Sequence, residues 1–285
     1  MDFRYDDDIE LVRHLRNLSY ADLARGTGLS EKTLRRWANR EGKPGWASLE
    51  AFYGYAFELG VELNRIKAQL HKESLEAEAK TVLFHGSRAG IEGPLSVDKC
   101  DPRSDFGRGF YCGESLEQSA LFVSNFPKSS VYVASFDPMS LRCERYAVGQ
   151  DWMLTIAAFR GKLKEYRDHP RVVQLMDRVH RADYVIEPIA DNRMYEIISE
   201  FLDGITTDVV CEHCLSATQL GSQYVFLTPR ALRRVELIER CFLSQGERQR
   251  YSAQRKQELR GAEDKVKAAK RLHRGEGRFI DELLS

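Results

Sequence analysis

Missing from the 285 residues is any long uncharged apolar run, so no membrane-spanning segment is expected. Net charge is missing too, because 43 Lys and Arg balance 43 Asp and Glu. Without a cationic field over the whole molecule, any contact with nucleic acid has to come from a local patch. Cysteine is scarce: six residues, at 100, 112, 143, 211, 214 and 241, with no framework of the secreted kind. Their scatter points to a reducing, cytoplasmic setting. The opening Met1-Asp2-Phe3-Arg4-Tyr5-Asp6-Asp7-Asp8 lacks an apolar stretch, so no signal peptide is expected. There is no Walker-type loop, no zincin helix and no Gly-x-Ser-x-Gly elbow, which removes the usual signatures of three large enzyme classes. What is present is ample core material, with 42% hydrophobic and 30% charged residues in a length that suits one large domain or two ordinary ones.

Ile9, Leu11, Val12, Leu15 and Leu18 recur at helical spacing behind the acidic Asp6 to Asp8. Ser19 can then cap a short helix that Gly26 and Gly28 end, and Ser30 can cap a second. The small Ala24, the turn residue Gly28 and the apolar Leu29, Leu34 and Trp37 suit two short helices packed at a steep angle. This stretch resembles the helix-turn-helix of the Cro/phage-repressor-like family. The resemblance runs on through Gly42-Lys43-Pro44 to Leu59-Gly60-Val61-Glu62-Leu63 and covers about the first 65 residues. It implies DNA as a partner, with Lys32, Thr33, Arg35 and Arg36 on the face of the second helix that would meet groove or phosphate. The other reading is a helical module that docks on a protein. Residues 71–80 read as a polar helical linker.

Three stretches organise the rest. Thr81-Val82-Leu83-Phe84 is β-rich and runs into His85-Gly86-Ser87. Asp105 to Glu114 interleaves glycines with aromatics, as Gly107-Arg108-Gly109-Phe110-Tyr111, and leads into a helix through Ser119 and Phe122. Ser222-Gln223-Tyr224-Val225-Phe226-Leu227-Thr228 alternates as a half-buried strand. In that order and spacing they resemble the ADP-ribosyltransferase-like superfamily, in its poly(ADP-ribose) polymerase and diphtheria-toxin branch, over roughly residues 81 to 230. Asp183 to Asn192 looks like a bacterial subgroup of it.

The resemblance implies an α+β chain: an all-α helix-turn-helix head over 1–70, the linker, a split β-sandwich domain with helices over 81–242, and a charged helical tail over 243–285. It also implies NAD as co-substrate. Such enzymes cleave the nicotinamide–ribose bond through an oxocarbenium-like transition state and pass ADP-ribose to an acceptor. His85 would bond the adenosine-side ribose, Gly86 the nicotinamide carboxamide through its backbone, and Ser87 would help hold that amide. Gly109 lets the turn approach the ligand, Tyr111 and Phe122 would face the nicotinamide ring, and Ser119 is a second hydroxyl for its amide.

Gln223 departs from the pattern, since the family's catalytic position is a glutamate. Glutamine keeps an acceptor oxygen but no charge, and loss of one electrostatic partner costs on the order of 10²–10³ in rate. Chain elongation is therefore not expected. Of the acids that could compensate, Glu187, Asp191, Glu196 and Glu212, the first choice is Asp191, in a turn-like Pro-Ile-Ala-Asp-Asn segment. Asp191 serves equally well as the N-cap of the helix that follows.

Cys211-Glu212-His213-Cys214 hints at metal, but no second ligand pair follows at suitable spacing, so no metal is expected. The last forty residues read as a solvated basic helix with an apolar end at Phe279-Ile280 and Leu283-Leu284. The leading expectation is a bacterial mono-ADP-ribosyltransferase acting on a nucleic acid or protein. The company such domains keep suggests a toxin or phage-defence effector, with an antitoxin protein as a further partner. The alternatives are a DNA-binding regulator that binds NAD or ADP-ribose without turnover, and an NAD glycohydrolase.

Overall fold

The structure, a computed structural model, describes residues 1–190, 192–218 and 221–285. Five helices open the chain: α1 (Tyr5–Arg16), α2 (Tyr20–Thr27), α3 (Glu31–Ala38), α4 (Trp46–Glu58) and α5 (Leu63–Glu76). Then come β1 (Thr81–Ser87), β2 (Phe110–Gly113), α6 (Leu116–Val123), β3 (Ser130–Phe136), β4 (Cys143–Arg145), α7 (Gln150–Phe159) and α8 (Pro170–His180). The chain closes with β5 (Tyr184–Pro188), α9 (Asn192–Leu202), α10 (Asp208–Ala217), β6 (Ser222–Phe226), α11 (Pro229–Leu232), β7 (Val235–Phe242), α12 (Gln245–Leu272) and α13 (Ile280–Leu283). Helical ends around a mixed central part make this an α+β chain, as expected.

The expected boundary at residues 71–80 is not where the chain divides. It forms two interleaved compact units, one of residues 1–93, 115–137 and 236–255, the other of 94–114, 138–235 and 256–285. The first unit holds the N-terminal helices together with strands in the order β1-β3-β7. Capping explains its first helices: the Ser19 hydroxyl accepts from the Asp22 amide, Gly28 turns left-handed at φ 71°, and the Ser30 hydroxyl accepts from the Thr33 amide. Leu23, Leu34, Phe52 and Tyr53 fill the core beneath them, and Phe242 from β7 stacks on Tyr53 at 4.8 Å. The residue that completes the core of the expected head thus lies at the far end of the expected second domain.

The linker reading is likewise corrected, since α5 runs on to Glu76 and buries Leu75 within it. On α5, buried Lys67 donates to Asp8 at 2.9 Å and to Glu239 at 3.1 Å, because two buried carboxylates need a cation between them. The tail also differs from the solvated helix expected. Tyr251 is buried in the first unit, and Val266, Ile280, Leu283 and Leu284 are buried in the core of the second.

The second unit orders its strands β4-β5-β6-β2, with β4 and β5 parallel and the other pairs antiparallel. One face packs on a core of Trp152, Met153, Ile156, Ile198, Phe201, Val185 and Val225. No helix of the described residues is long and apolar enough to cross a membrane.

Candidate functional site

The expected site residues fall into two groups, one on each unit. On the first unit, His85, Gly86 and Ser87 end β1, where they pair with Tyr132, Val131 and Ser130 of β3. Helix α6 crosses Gly86 so closely that a Cβ there would sit 2.5 Å from the Ser119 carbonyl oxygen. Close helix–strand packing alone therefore requires glycine at 86. The Ser119 hydroxyl is buried and donates to the Phe84 carbonyl at 2.9 Å, so its proton is already committed to β1. The Ser87 hydroxyl accepts from the Gly90 amide at 3.0 Å and shapes the turn after the strand. Phe122 is 44% exposed, with the Arg255 guanidinium 5.8 Å from its ring centre.

On the second unit, strand register does the assembling. Gln223 of β6 lies opposite Glu187 of β5 on one side and opposite Gly113 of β2 on the other. Side chains two apart share a face, so Tyr111, Gln223 and Glu187 all project from the same side of the strands. There Glu187 is completely buried. Its carboxylate accepts from the Trp152 indole at 2.8 Å and from the Gln223 side-chain amide at 3.1 Å. Of the two ends of the Gln223 amide, only the NH₂ can give a hydrogen to a carboxylate, so its carbonyl oxygen is turned away from Glu187.

The turn before β2 is tied to the same cluster. The Tyr111 hydroxyl accepts from the Phe106 amide at 3.0 Å and donates to the Gly107 carbonyl at 3.3 Å. Asp105, buried, accepts from Arg160 Nε at 3.0 Å, and the Arg160 guanidinium lies 4.0 Å over the Tyr195 ring. Gly109 is the residue that can lie against β6, because a Cβ there would meet Val225 Cγ1 at 2.6 Å. The expected reason for this glycine, approach to a ligand, thus has a competitor inside the fold.

Burial, and after it the Asp105 charge, pushes the Glu187 carboxyl well above its usual range, against the pull of Trp152, Gln223 and Arg160. Burial also raises Asp105 despite Arg160, and burial followed by the Glu187 charge raises the Tyr111 phenol. Arg160 is bonded to Asp105, and burial of both acids works against their ionising together.

Asp191, the acid favoured from sequence, lies outside the described residues. The acid bonded to Gln223 is Glu187, which the sequence offers only behind Asp191. The signal that would have singled it out is the β5–β6 register, and that depends on pairing across 36 residues. Glu196 is exposed on α9 and Glu212 half-buried on α10.

The Cys-Glu-His-Cys stretch on α10 is divided by its helix. Cys211 and Cys214 are buried and contact the Ile197 and Val266 carbonyls, whereas His213 is exposed. On the first unit, α3 buries Leu34 and Trp37 and exposes Lys32, Arg35 and Arg36, with Thr33 half-buried beside its Ser30 cap. Arg35 also stacks over Tyr20 at 4.3 Å.

No curated protein and no solved structure matches the chain. A family model described as a protein of unknown function (DUF3990) matches residues 81–237, from the start of β1 into β7. That span is more than half of the 285 residues, and the chain belongs to this family.

Proposed function

We propose that the chain is an NAD-dependent mono-ADP-ribosyltransferase that modifies a macromolecule, protein or nucleic acid. The observation that carries this reading is the Gln223–Glu187 pair, held by Trp152. The obstacle in the sequence was a neutral residue where the resembling family has an acid. Here the neutral amide is bonded to a buried carboxylate, so negative charge stands one hydrogen bond behind it. The Gln223 carbonyl oxygen is left to accept from ribose hydroxyls, and Glu187 supplies the field.

In the reaction, the bond between the ribose carbon and the nicotinamide nitrogen breaks and its electron pair leaves with nicotinamide. Positive charge moves to the ribose, and the acceptor's nucleophilic atom closes on that carbon and loses its proton to solvent. The nicotinamide ring of NAD is itself cationic. Its arrival brings positive charge toward buried Glu187 and favours the ionised carboxylate. By the resemblance, His85, Gly86, Ser87 and Phe122 of the first unit, and separately Gly109 and Tyr111 of the second, are NAD-contacting residues, whereas the committed proton of Ser119 suits a structural role.

The exposed cationic face of α3 supports a second element of the proposal, duplex DNA as a partner of the N-terminal helices.

The test is incubation of the full-length protein with labelled NAD and cell lysate, beside His85→Ala and Tyr111→Ala variants. Label in a macromolecule that vanishes in both variants is the expected result. Released ADP-ribose without a labelled acceptor would make the chain a glycohydrolase. Calorimetric binding of NAD without turnover would make it a sensor, and no interaction with NAD would end the proposal.

A further inference from the structure

We propose that His213, His273 and Glu276 form a binding site for a divalent transition-metal ion of the zinc type, separate from the Glu187–Gln223 cluster. His213 projects from α10, His273 follows directly on α12, and the turn through Gly275, at φ 84°, returns Glu276 to His273. The His213 and His273 rings lie parallel within 4° at a centroid distance of 3.4 Å. His273 Nδ1 is 3.1 Å from a Glu276 carboxylate oxygen. One ligand atom from each of the three lies within 4.8 Å of the others.

In a tetrahedral site with bonds of about 2.0–2.1 Å, ligand atoms stand roughly 3.4 Å apart. Closing the set therefore takes shifts of roughly 1–1.5 Å and a tilt of one imidazole out of the parallel stack, which the exposed His213 and Glu276 can make. A local His273–Glu276 pair would account for one contact, but not for a second histidine brought in from a different helix. Two histidines and a carboxylate are also a known zinc donor set that leaves one position open. That position would face a hollow of about 900 Å³ on the same surface, whose walls include Lys265 and Arg271. These cations suit an anionic oxygen as the fourth ligand. The thiols of Cys211 and Cys214 take no part, being buried and turned to the Ile197 and Val266 carbonyls.

The experiment is titration of the chelator-stripped, full-length protein with Zn²⁺ against a chromophoric competitor at about pH 7.5, where free histidine is neutral. Visible spectra of the Co²⁺ form accompany it. One zinc per chain is expected, with affinity falling at least about 100-fold in His213→Ala and in His273→Ala and about 10- to 100-fold in Glu276→Gln. Cys214→Ala should bind as the unaltered chain does. All three ligand positions are at least partly exposed, so circular dichroism should show the three ligand variants folded. Unchanged affinity in either histidine variant, a stoichiometry other than one, or a cobalt–thiolate absorption band would overturn the assignment.

Discussion

Gln223 donates its side-chain amide to Glu187 across the β5–β6 pair, and the same carboxylate takes the Trp152 indole hydrogen. Substituting either partner separates charge from shape. Gln223→Glu places a second acid against Glu187 and puts charge at the ribose-facing position, and turnover of NAD should rise on the order of 10²-fold. Glu187→Gln keeps the volume and removes the charge, and turnover should fall by a similar factor. Rates of nicotinamide release measure both. Equal rates in all three proteins would mean that this pair does not face the reacting ribose.

Gly86 sets how closely α6 rides on β1. In Gly86→Ala the new methyl would stand 2.5 Å from the Ser119 carbonyl oxygen and 2.9 Å from Val123 Cγ1. Backbone must move, and a loss of about 1–3 kcal/mol is expected. Denaturant unfolding followed by circular dichroism reads this directly, and a variant as stable as the parent would show that α6 can lift at no cost.

Glu247 gives the first unit a pH dependence. Burial, opposed by its Asn64 contact and Arg250, pushes its carboxyl from 4.5 up to about 7. Between those values the folded chain holds a proton that the unfolded chain has released, so stability is full below about pH 4.5 and falls as the pH rises to 7. Glu247→Gln should remove this slope and gain up to roughly 3 kcal/mol above pH 7. Unfolding midpoints measured on either side of that window decide it, and parallel curves for the two proteins would count against a buried titration.

Lys67 joins Asp8 and Glu239 in the interior of the first unit. Lys67→Met leaves both carboxylates without their cation, and a loss of about 3–5 kcal/mol is expected. The triple change that also makes Asp8→Asn and Glu239→Gln should recover part of it. A single variant as stable as the parent would show that water reaches the pair.

If α3 meets DNA, Lys32→Ala and Arg36→Ala should each reduce the slope of log affinity against log salt by about 1. Fluorescence anisotropy with a labelled duplex at several salt concentrations measures it. The full chain is the protein to use, because Phe242 belongs to the core beneath these helices.

These residues mark how far sequence reading reached. Ser19, Gly28 and Ser30 announced their helix ends because capping is local chemistry, and the segments around His85 and Gln223 announced two strands because alternation is local too, whereas the glycine turn expected around Tyr111 holds a third strand, β2, before its helix. Long-range pairing was not legible. Nothing near Phe242 says that it stacks on Tyr53, nothing near Glu187 says that it faces Gln223, and His213 gives no sign of His273 sixty residues on. The charged run after Gln245 misled for a related reason. Its few apolar residues, among them Tyr251 and Val266, are the ones that find cores.

The interleaving of the two units reaches beyond their chemistry. The chain passes between them five times, at 93/94, 114/115, 137/138, 235/236 and 255/256. No single cut or premature stop can deliver either unit on its own, and a stop between β7 and residue 255 truncates both at once. Exchanging one of them by design therefore takes replacement of three separate segments at once.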